Sequence, residues 1–370
     1  MKKVLVWGAT DTVGGVEAVL WNYISNIPTD VVRFDFINTY SHISIEDKVK
    51  ERGSKVISLP NRKSNILQYK KQIKQFMKQH AADYDAVWLN DCMFGNIDIL
   101  KLAKKYHIKK RVIHAHNSLN MGGGFSRLIR HKINSYLLRA YVTDYWACSQ
   151  LAAEWSYPKD INKKGKVNII PNAVDIRDFR VDKNVRIAYR AEFGIEDKVV
   201  FGHVGRFHYQ KNHMFLIDVF SCIHKLIPDS VLILIGTGED EEKTRKQVRK
   251  YGIENSVKFL GQRFDTAQLY QAMDAFLLPS LFEGLPVVMV EAQAAGLPCF
   301  VSDTITRESD VSGNVEFISL KENKEDWAKK IVAYMNSFIR RDVSDIIQKN
   351  GYSIQEAALR LQKIFVGGRT

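Results

Sequence analysis

A chain of 370 residues is longer than one hydrophobic core ordinarily organises, which predicts two domains. Its 45% hydrophobic and 11% aromatic content excludes a disordered chain, and no apolar run reaches the roughly 18 residues of a membrane span. The net charge of +13 sits entirely in the first half: residues 1–180 carry 29 Lys and Arg against 16 Asp and Glu, residues 181–370 carry 25 against 25. A basic half suits anionic lipid, nucleic acid or phosphorylated ligands, although a solvated surface accounts equally well for any single basic run.

Met1-Lys2-Lys3 begins a basic start that meets Asp11 too early for a signal peptide. Cys92, Cys148, Cys222 and Cys299 are scattered, with no C-x-x-C and no histidines at zinc spacing. That usage suits a reducing cytosol.

Short β-branched runs alternate with amphipathic stretches along the whole chain. Strands are predicted at 4–7, 33–37, 55–59, 86–90, 112–115, 145–147 and 168–170. A second series follows at 199–204, 231–235, 257–260, 275–278, 299–302 and 316–318. Between them lie helical spacings such as Phe215, Val219, Ile223 and Ile227, flanked by Leu216 and Phe220. Strand–helix alternation predicts parallel α/β sheets covered on both faces, here two doubly wound domains. Pro171-Asn172-Ala173-Val174-Asp175 is the predicted hinge, and the last amphipathic stretch, 354–365, has no strand after it. Two such domains facing one another place their strand carboxyl ends around a cleft, where ligands of these folds bind.

Several segments at predicted strand ends carry candidate chemistry. Gly14 and Gly15 follow the first strand at the start of a helix, where paired glycines allow an anion close to the backbone or simply make a tight turn. The spacing is neither a dinucleotide fingerprint nor a P-loop. Gly205-Arg206 ends the first strand of the second series and Lys211 closes the loop after it, so two cations flank a helix start and suit a diphosphate, although a pair of surface cations accounts for them equally well. Pro279 closes another strand. A loop with Glu283 and Gly284-Leu285-Pro286 follows, then a helix with Val287, Val288 and Glu291, in which Pro286 suits the first turn. Helix-end amides there suit phosphate, with a carboxylate on each side to grip hydroxyls.

His114 and His116 share one face of a strand, but no third metal ligand lies near them in sequence. His116 is read as a strand-end group facing the cleft, for hydrogen bonding or proton handling, and His114 as a core histidine satisfied by backbone. Asp83-Tyr84-Asp85 precedes a strand, on the side away from the expected cleft, and is read as a surface connection.

These segments, in this order, resemble the family 4 retaining glycosyltransferases of the GT-B fold over nearly the whole chain. The specific signal is Pro-Ser-Leu-Phe-Glu283-Gly-Leu-Pro with Glu291 eight residues on, and Gly296-Leu-Pro-Cys-Phe-Val-Ser302-Asp resembles the bacterial capsular and exopolysaccharide subset. The resemblance implies two Rossmann-like domains facing across a cleft: 1–174, with 353–370 returning as a final helix, for the acceptor, and 175–352 for the nucleotide sugar. It implies that Arg206 and Lys211 bind the donor diphosphate, and that Glu283 holds sugar hydroxyls beside the amides of Gly284, Leu285, Val287 and Val288. Glu291 then binds the ribose, Gly15 approaches the β-phosphate, His116 touches the donor sugar, and the base lies near Gly261-Gln262-Arg263. No metal or other cofactor is implied, and a UDP-sugar is expected ahead of a GDP-sugar. The expected acceptor is a saccharide or a polyprenyl-diphosphate-linked saccharide, served by a cytoplasmic enzyme peripheral to the inner face of the membrane. Asn117, Arg127, Arg130 and Lys132, around the Gly122-Gly123-Gly124 turn, are candidate acceptor or membrane contacts.

A nucleotide-sugar epimerase or phosphorylase of the same architecture, and a non-catalytic partner of a glycosyltransferase, are the rival readings. A nucleic-acid-binding protein is disfavoured, because no helix-turn-helix, zinc-finger or RNA-recognition signature is present.

Overall fold

The computed structural model describes residues 1–12, 14–118, 124–163 and 165–367. The chain divides into two units, Met1–Ala173 with Ile354–Thr370, and Val174–Ser353.

In the first unit, β1 (Lys2–Trp7), β2 (Val32–Asn38), β3 (Val56–Ser58), β4 (Ala86–Asp91), β5 (Lys110–Ala115), β6 (Asp144–Ala147) and β7 (Val167–Ile169) form one parallel sheet in the order β3-β2-β1-β4-β5-β6-β7. Central strands of such sheets are covered on both faces, so they read as continuous apolar runs. Val4, Leu5 and Val6 of β1 are all fully buried, with Val4 opposite both Phe34 and Ala86. The helices Ile66–His80, Asp98–Lys105 and Gly124–Tyr141 follow β3, β4 and β5, each packed against the next. The final helix, Ile354–Val366, packs on the Gly15–Ser25 helix and on β2. Its Phe365 meets Phe34, Trp88 and Trp146 with ring centroids 5.5–5.8 Å apart.

In the second unit, β8 (Val199–Val204), β9 (Ser230–Ile235), β10 (Val257–Phe259), β11 (Ala275–Leu278), β12 (Cys299–Ser302) and β13 (Val315–Ile318) are again all parallel, in the order β10-β9-β8-β11-β12-β13. The spacing read in the sequence produces the His213–Leu226 helix, whose Leu216, Val219, Phe220 and Ile223 join Phe201, Leu232 and Trp327 in the core.

All thirteen strands among the described residues thus lie within two residues of their predicted bounds. Some extend past the prediction at polar ends, such as Lys2-Lys3 and Lys110-Arg111, where a side chain at the sheet margin reaches solvent while its backbone still pairs. In each sheet the strand order reverses once, between β1 and β4 and between β8 and β11. At such switch points the carboxyl ends of neighbouring strands open into a crevice.

Asp83-Tyr84-Asp85 lies at the opposite, amino-terminal end of β4, where Asp85 pairs with Lys2 at 2.8 Å and the Tyr84 hydroxyl donates to Asp35. Where the chain leaves the first unit, the Tyr23 hydroxyl donates to the Pro171 carbonyl at 2.6 Å and Asn22 donates to that of Ala173. No helix among the described residues is long and apolar enough to cross a membrane.

Candidate active site

In the first unit, Gly8 follows β1 with φ +127°, and a Cβ there would lie 2.1 Å from the Asn90 carbonyl oxygen. Only glycine permits that approach. Asn90, near the end of β4, donates to the Trp7 carbonyl and accepts from His116 Nε2 at 2.9 Å. This assigns the His116 proton to Nε2 and leaves Nδ1 as an acceptor. Burial holds His116 down to about 3, so the ring is neutral. Gly14 caps and Gly15 opens the Gly15–Ser25 helix, with open space beside Gly15. Glu17, one turn on, accepts from the Thr10 amide at 2.8 Å and from its hydroxyl at 2.9 Å.

Two expectations are corrected here. His114 is not satisfied by backbone: it is wholly buried, stacked on Trp88 and 4.0 Å from the His116 ring, and neither ring nitrogen has a hydrogen-bond partner among the described residues. The ladder between β4, β5 and β6 already occupies the nearby backbone groups, and burial keeps the imidazole neutral. Asn117 is 2% exposed and so has no place on a surface that meets lipid. Arg127, Arg130 and Lys132 are exposed on the Gly124–Tyr141 helix. Gly122 and Gly123 lie outside the described residues.

In the second unit, the loops after β8 and β11 are tied together. The Leu281 amide donates to the Gln210 carbonyl, the Gln210 side chain donates to the Phe282 carbonyl, and Asn212 donates to that of Pro279. Within this frame the buried Glu283 carboxylate receives Lys211 Nζ at 2.7 Å on one oxygen and Gln210 Nε2 at 3.0 Å on the other. Arg206 turns elsewhere, to Glu239 at 3.1 Å, with His208 at 3.7 Å from the same carboxylate. The two predicted cations therefore lean on separate carboxylates. Gly236, after β9, has φ +134° and a virtual Cβ 2.1 Å from the Gly205 carbonyl oxygen, so only glycine lets the two loops meet.

Pro286 is the residue before the Val287–Ala294 helix rather than part of its first turn, because its ψ of 120° is extended. Glu283 and Glu291 fall on either side of that helix start. Glu291 accepts from the Tyr270 hydroxyl at 3.0 Å, and burial pushes its carboxyl up to about 7. Arg263 is clamped to Asp265 through two hydrogen bonds of 2.8 and 2.5 Å, and Tyr189 donates to the same carboxylate. Beneath the Gly205 loop, His203 Nδ1 donates to the Leu277 carbonyl at 2.8 Å, and its ring lies edge-on to His213. Burial holds these two histidines down to about 3 and about 2.

Sequence reasoning missed Asn90, Gln210, Asn212, Glu239 and Tyr270. Asn90, closing a predicted strand at the switch point, carried a usable signal. Gln210 and Asn212 lie inside or beside the recognised Arg206–Lys211 segment. Nothing local marks Glu239 or Tyr270, whose relevance comes from tertiary pairing.

Comparison with known proteins places this geometry in context. Residues 185–352 match the family model described as glycosyl transferases group 1. The chain is 29% identical over 361 residues to the putative glycosyltransferase EpsF of Bacillus subtilis, covering 95% of this chain and 93% of that one. It is 29% identical over 216 residues, 54% of each chain, to the Escherichia coli UDP-Gal:alpha-D-GlcNAc-diphosphoundecaprenol alpha-1,3-galactosyltransferase. Among solved structures, Anabaena HepE in complex with UDP superposes with a TM-score of 0.77 at 18% identity, covering 99% of this chain and 100% of that one. Residues 185–352 thus form a glycosyl transferases group 1 domain, within a chain that has the GT-B fold.

Proposed function

We propose that this chain is a retaining, family 4 glycosyltransferase that moves a hexosyl group from a UDP-sugar to a polyprenyl-diphosphate-linked saccharide in exopolysaccharide synthesis. The second unit takes the nucleotide sugar and the first unit the acceptor. The carrying observation is the buried Lys211–Glu283 pair, fixed by Gln210 at the carboxyl ends of β8 and β11 and set before the Val287–Ala294 helix. The structurally similar HepE binds UDP, and the Escherichia coli relative takes UDP-Gal as donor and a diphosphoundecaprenol-linked acceptor, which supports both halves of the reading.

In this reading the bond between the anomeric carbon and the β-phosphate oxygen breaks as the acceptor oxygen bonds to the same face of the sugar. The acceptor proton passes to the departing phosphate. Negative charge develops on the leaving oxygen, and Arg206, Lys211 and helix-end amides supply fixed positive potential for it without a metal ion. Glu283, oriented by Lys211 and Gln210, accepts from sugar hydroxyls, and Glu291 accepts from the ribose. His116, neutral and tied to Asn90, contributes a hydrogen bond near the reacting carbon rather than an acidic proton.

Nucleotide release from a panel of UDP-, GDP- and ADP-sugars in EDTA tests this reading. Release from one UDP-sugar, lost in Lys211→Ala and Glu283→Ala, is expected, and the product should keep the donor's anomeric configuration. Silence across the panel with no donor-induced thermal shift would instead favour a non-catalytic partner protein.

A further inference from the structure

Arg206 and Lys211 are each met by a carboxylate, but the two ion pairs differ in kind. Lys211 and Glu283 expose 15% and 8% of their side chains, and Gln210 also binds that carboxylate. Arg206 and Glu239 expose 58% and 52%, and a hydrogen bond of 3.1 Å joins them. A buried pair is costly to part, because a charge left alone in the interior is poorly solvated. An exposed pair contributes little, because water solvates both partners once they separate. The second unit therefore presents one fixed cation, Lys211, and one exchangeable cation, Arg206.

The fold holds Glu239 in place without needing its charge. The loop after β9, which carries Glu239, is laced to the loop after β8: the Phe207 amide donates to the Thr237 carbonyl and the Asp240 amide to that of Phe207, both at 3.0 Å. Gly238 lets the backbones pass, since a Cβ there would lie 2.3 Å from the Phe207 carbonyl oxygen. His208 Nδ1 accepts from the Gln210 amide at 3.2 Å, which leaves the ring proton on Nε2, 3.7 Å from Glu239. Its own backbone amide, with Arg206 and His208 beside it, holds the Glu239 carboxyl below the ordinary carboxylate range, so it stays ionised at working pH. An exposed ion pair adds little to loops already joined through their backbones. A carboxylate beside a diphosphate site also repels the ligand, so a site shaped for affinity alone has no use for it. Release is the step it serves. Once the sugar leaves, the terminal phosphate is a monoester that ionises a second time near about pH 6, so the spent nucleotide grips cations harder than the donor does.

We propose that Glu239 is an exchangeable counter-ion: it yields Arg206 to the donor diphosphate and reclaims it from the product nucleotide, which lowers UDP affinity and speeds UDP release. Lys211, held by Glu283, keeps its place through both steps. The inference rests on the diphosphate reading of Arg206 and Lys211. It deepens that reading by naming the group that occupies Arg206 between one donor and the next.

UDP titration calorimetry and stopped-flow UDP dissociation test the proposal on the full chain, on Glu239→Gln, on Arg206→Ala and on the double variant. Glu239→Gln should tighten UDP about three- to tenfold, chiefly by slowing its dissociation. Uridine, which has no phosphate, should bind Glu239→Gln and the unaltered protein alike. Arg206→Ala should weaken UDP about tenfold or more. In that background Glu239→Gln should tighten UDP by at most about twofold, because the cation it competes for is gone. Thermal midpoints confirm that these exposed substitutions leave the fold intact. UDP bound no more tightly by Glu239→Gln, or released no more slowly, overturns the proposal and leaves Glu239 as a loop latch. So does uridine that tightens by the same factor as UDP. The two levels of the argument fail separately. If the unaltered protein binds no UDP, or Arg206→Ala binds it equally well, the diphosphate reading fails and takes the inference with it. If Arg206→Ala weakens UDP while Glu239→Gln does not tighten it, the inference alone fails.

Discussion

Lys211 Nζ lies 2.7 Å from Glu283 Oε1 although 72 residues separate them in sequence. Adjacent parallel strands β8 and β11, one on each side of the strand-order reversal, deliver their following loops to the same place. The ammonium and the carboxylate are both largely buried, so each is expensive to leave alone. Lys211→Ala should therefore lower donor turnover by about 10² to 10³. It should also destabilise the fold by about 3 kcal/mol, because Glu283 is left with an uncompensated charge. The double change Lys211→Met/Glu283→Gln should recover most of that stability in urea unfolding and none of the turnover. Recovery of turnover in the double variant would show that the pair is structural only.

In the proposed reading, Glu291 gives donor binding a pH dependence. Burial raises its carboxyl to about 7 in the free protein, and a carboxylate accepts from two ribose hydroxyls better than a carboxylic acid does. UDP affinity should rise from about pH 6 to about pH 8, and calorimetry at several pH values should find protons released on binding. Stability runs the other way. A carboxyl with a raised folded-state pKa binds more protons folded than unfolded, so its contribution falls as pH rises from the ordinary carboxylate range through about 7. Glu291→Gln should flatten both dependences. UDP affinity that is level with pH in the unaltered protein would remove Glu291 from the nucleotide site.

The last helix is an anchor whose loss should be local. Phe365 is buried against Phe34, Trp88 and Trp146, an aromatic cluster at the centre of the first sheet. Phe365→Ala should cost about 3 to 5 kcal/mol, as a cavity left among rings that cannot collapse. Under the proposed division of labour UDP binding should survive at temperatures where the first unit still folds. Parallel measurement of tryptophan fluorescence and UDP binding during denaturation separates the two effects.

How much of this was legible in the sequence depends on how local each cause is. The thirteen strands were, because a strand covered on both faces must be a continuous apolar run, as Val4–Val6 and Ala275–Leu278 are. The placement of Glu283 before a helix and Glu291 within it was also readable, since proline and the apolar periodicity fix the helix start. The partners of those residues were not. Gln210, Tyr270 and Glu239 act through contacts made only when distant strands align, and no local pattern encodes such contacts. The inverted Gly124–Tyr141 helix shows the converse failure: its polar residues suggest a wet face, yet His131, Asn134 and Ser135 point inward because Phe94 and Ser156 offer them backbone partners.

His116 separates two ways in which a histidine serves a sugar transfer. An acid or base titrating near its ordinary value would put a limb into the pH–rate profile at about 6.5. Burial instead holds His116 to about 3, and its Nε2–H is already given to Asn90, so it stays neutral through the working range with only Nδ1 to offer. Its part in the proposed reaction is to position the sugar by a hydrogen bond. His116→Ala should lower kcat by about 10- to 100-fold while leaving the shape of the profile between about pH 5 and about pH 8 unchanged. Asn90→Ala should reproduce much of that loss, because the ring then lacks the acceptor that fixes its orientation and tautomer. An ascending limb near 6.5 in the unaltered enzyme, absent from His116→Ala, would assign His116 a proton-transfer role and overturn the positioning account.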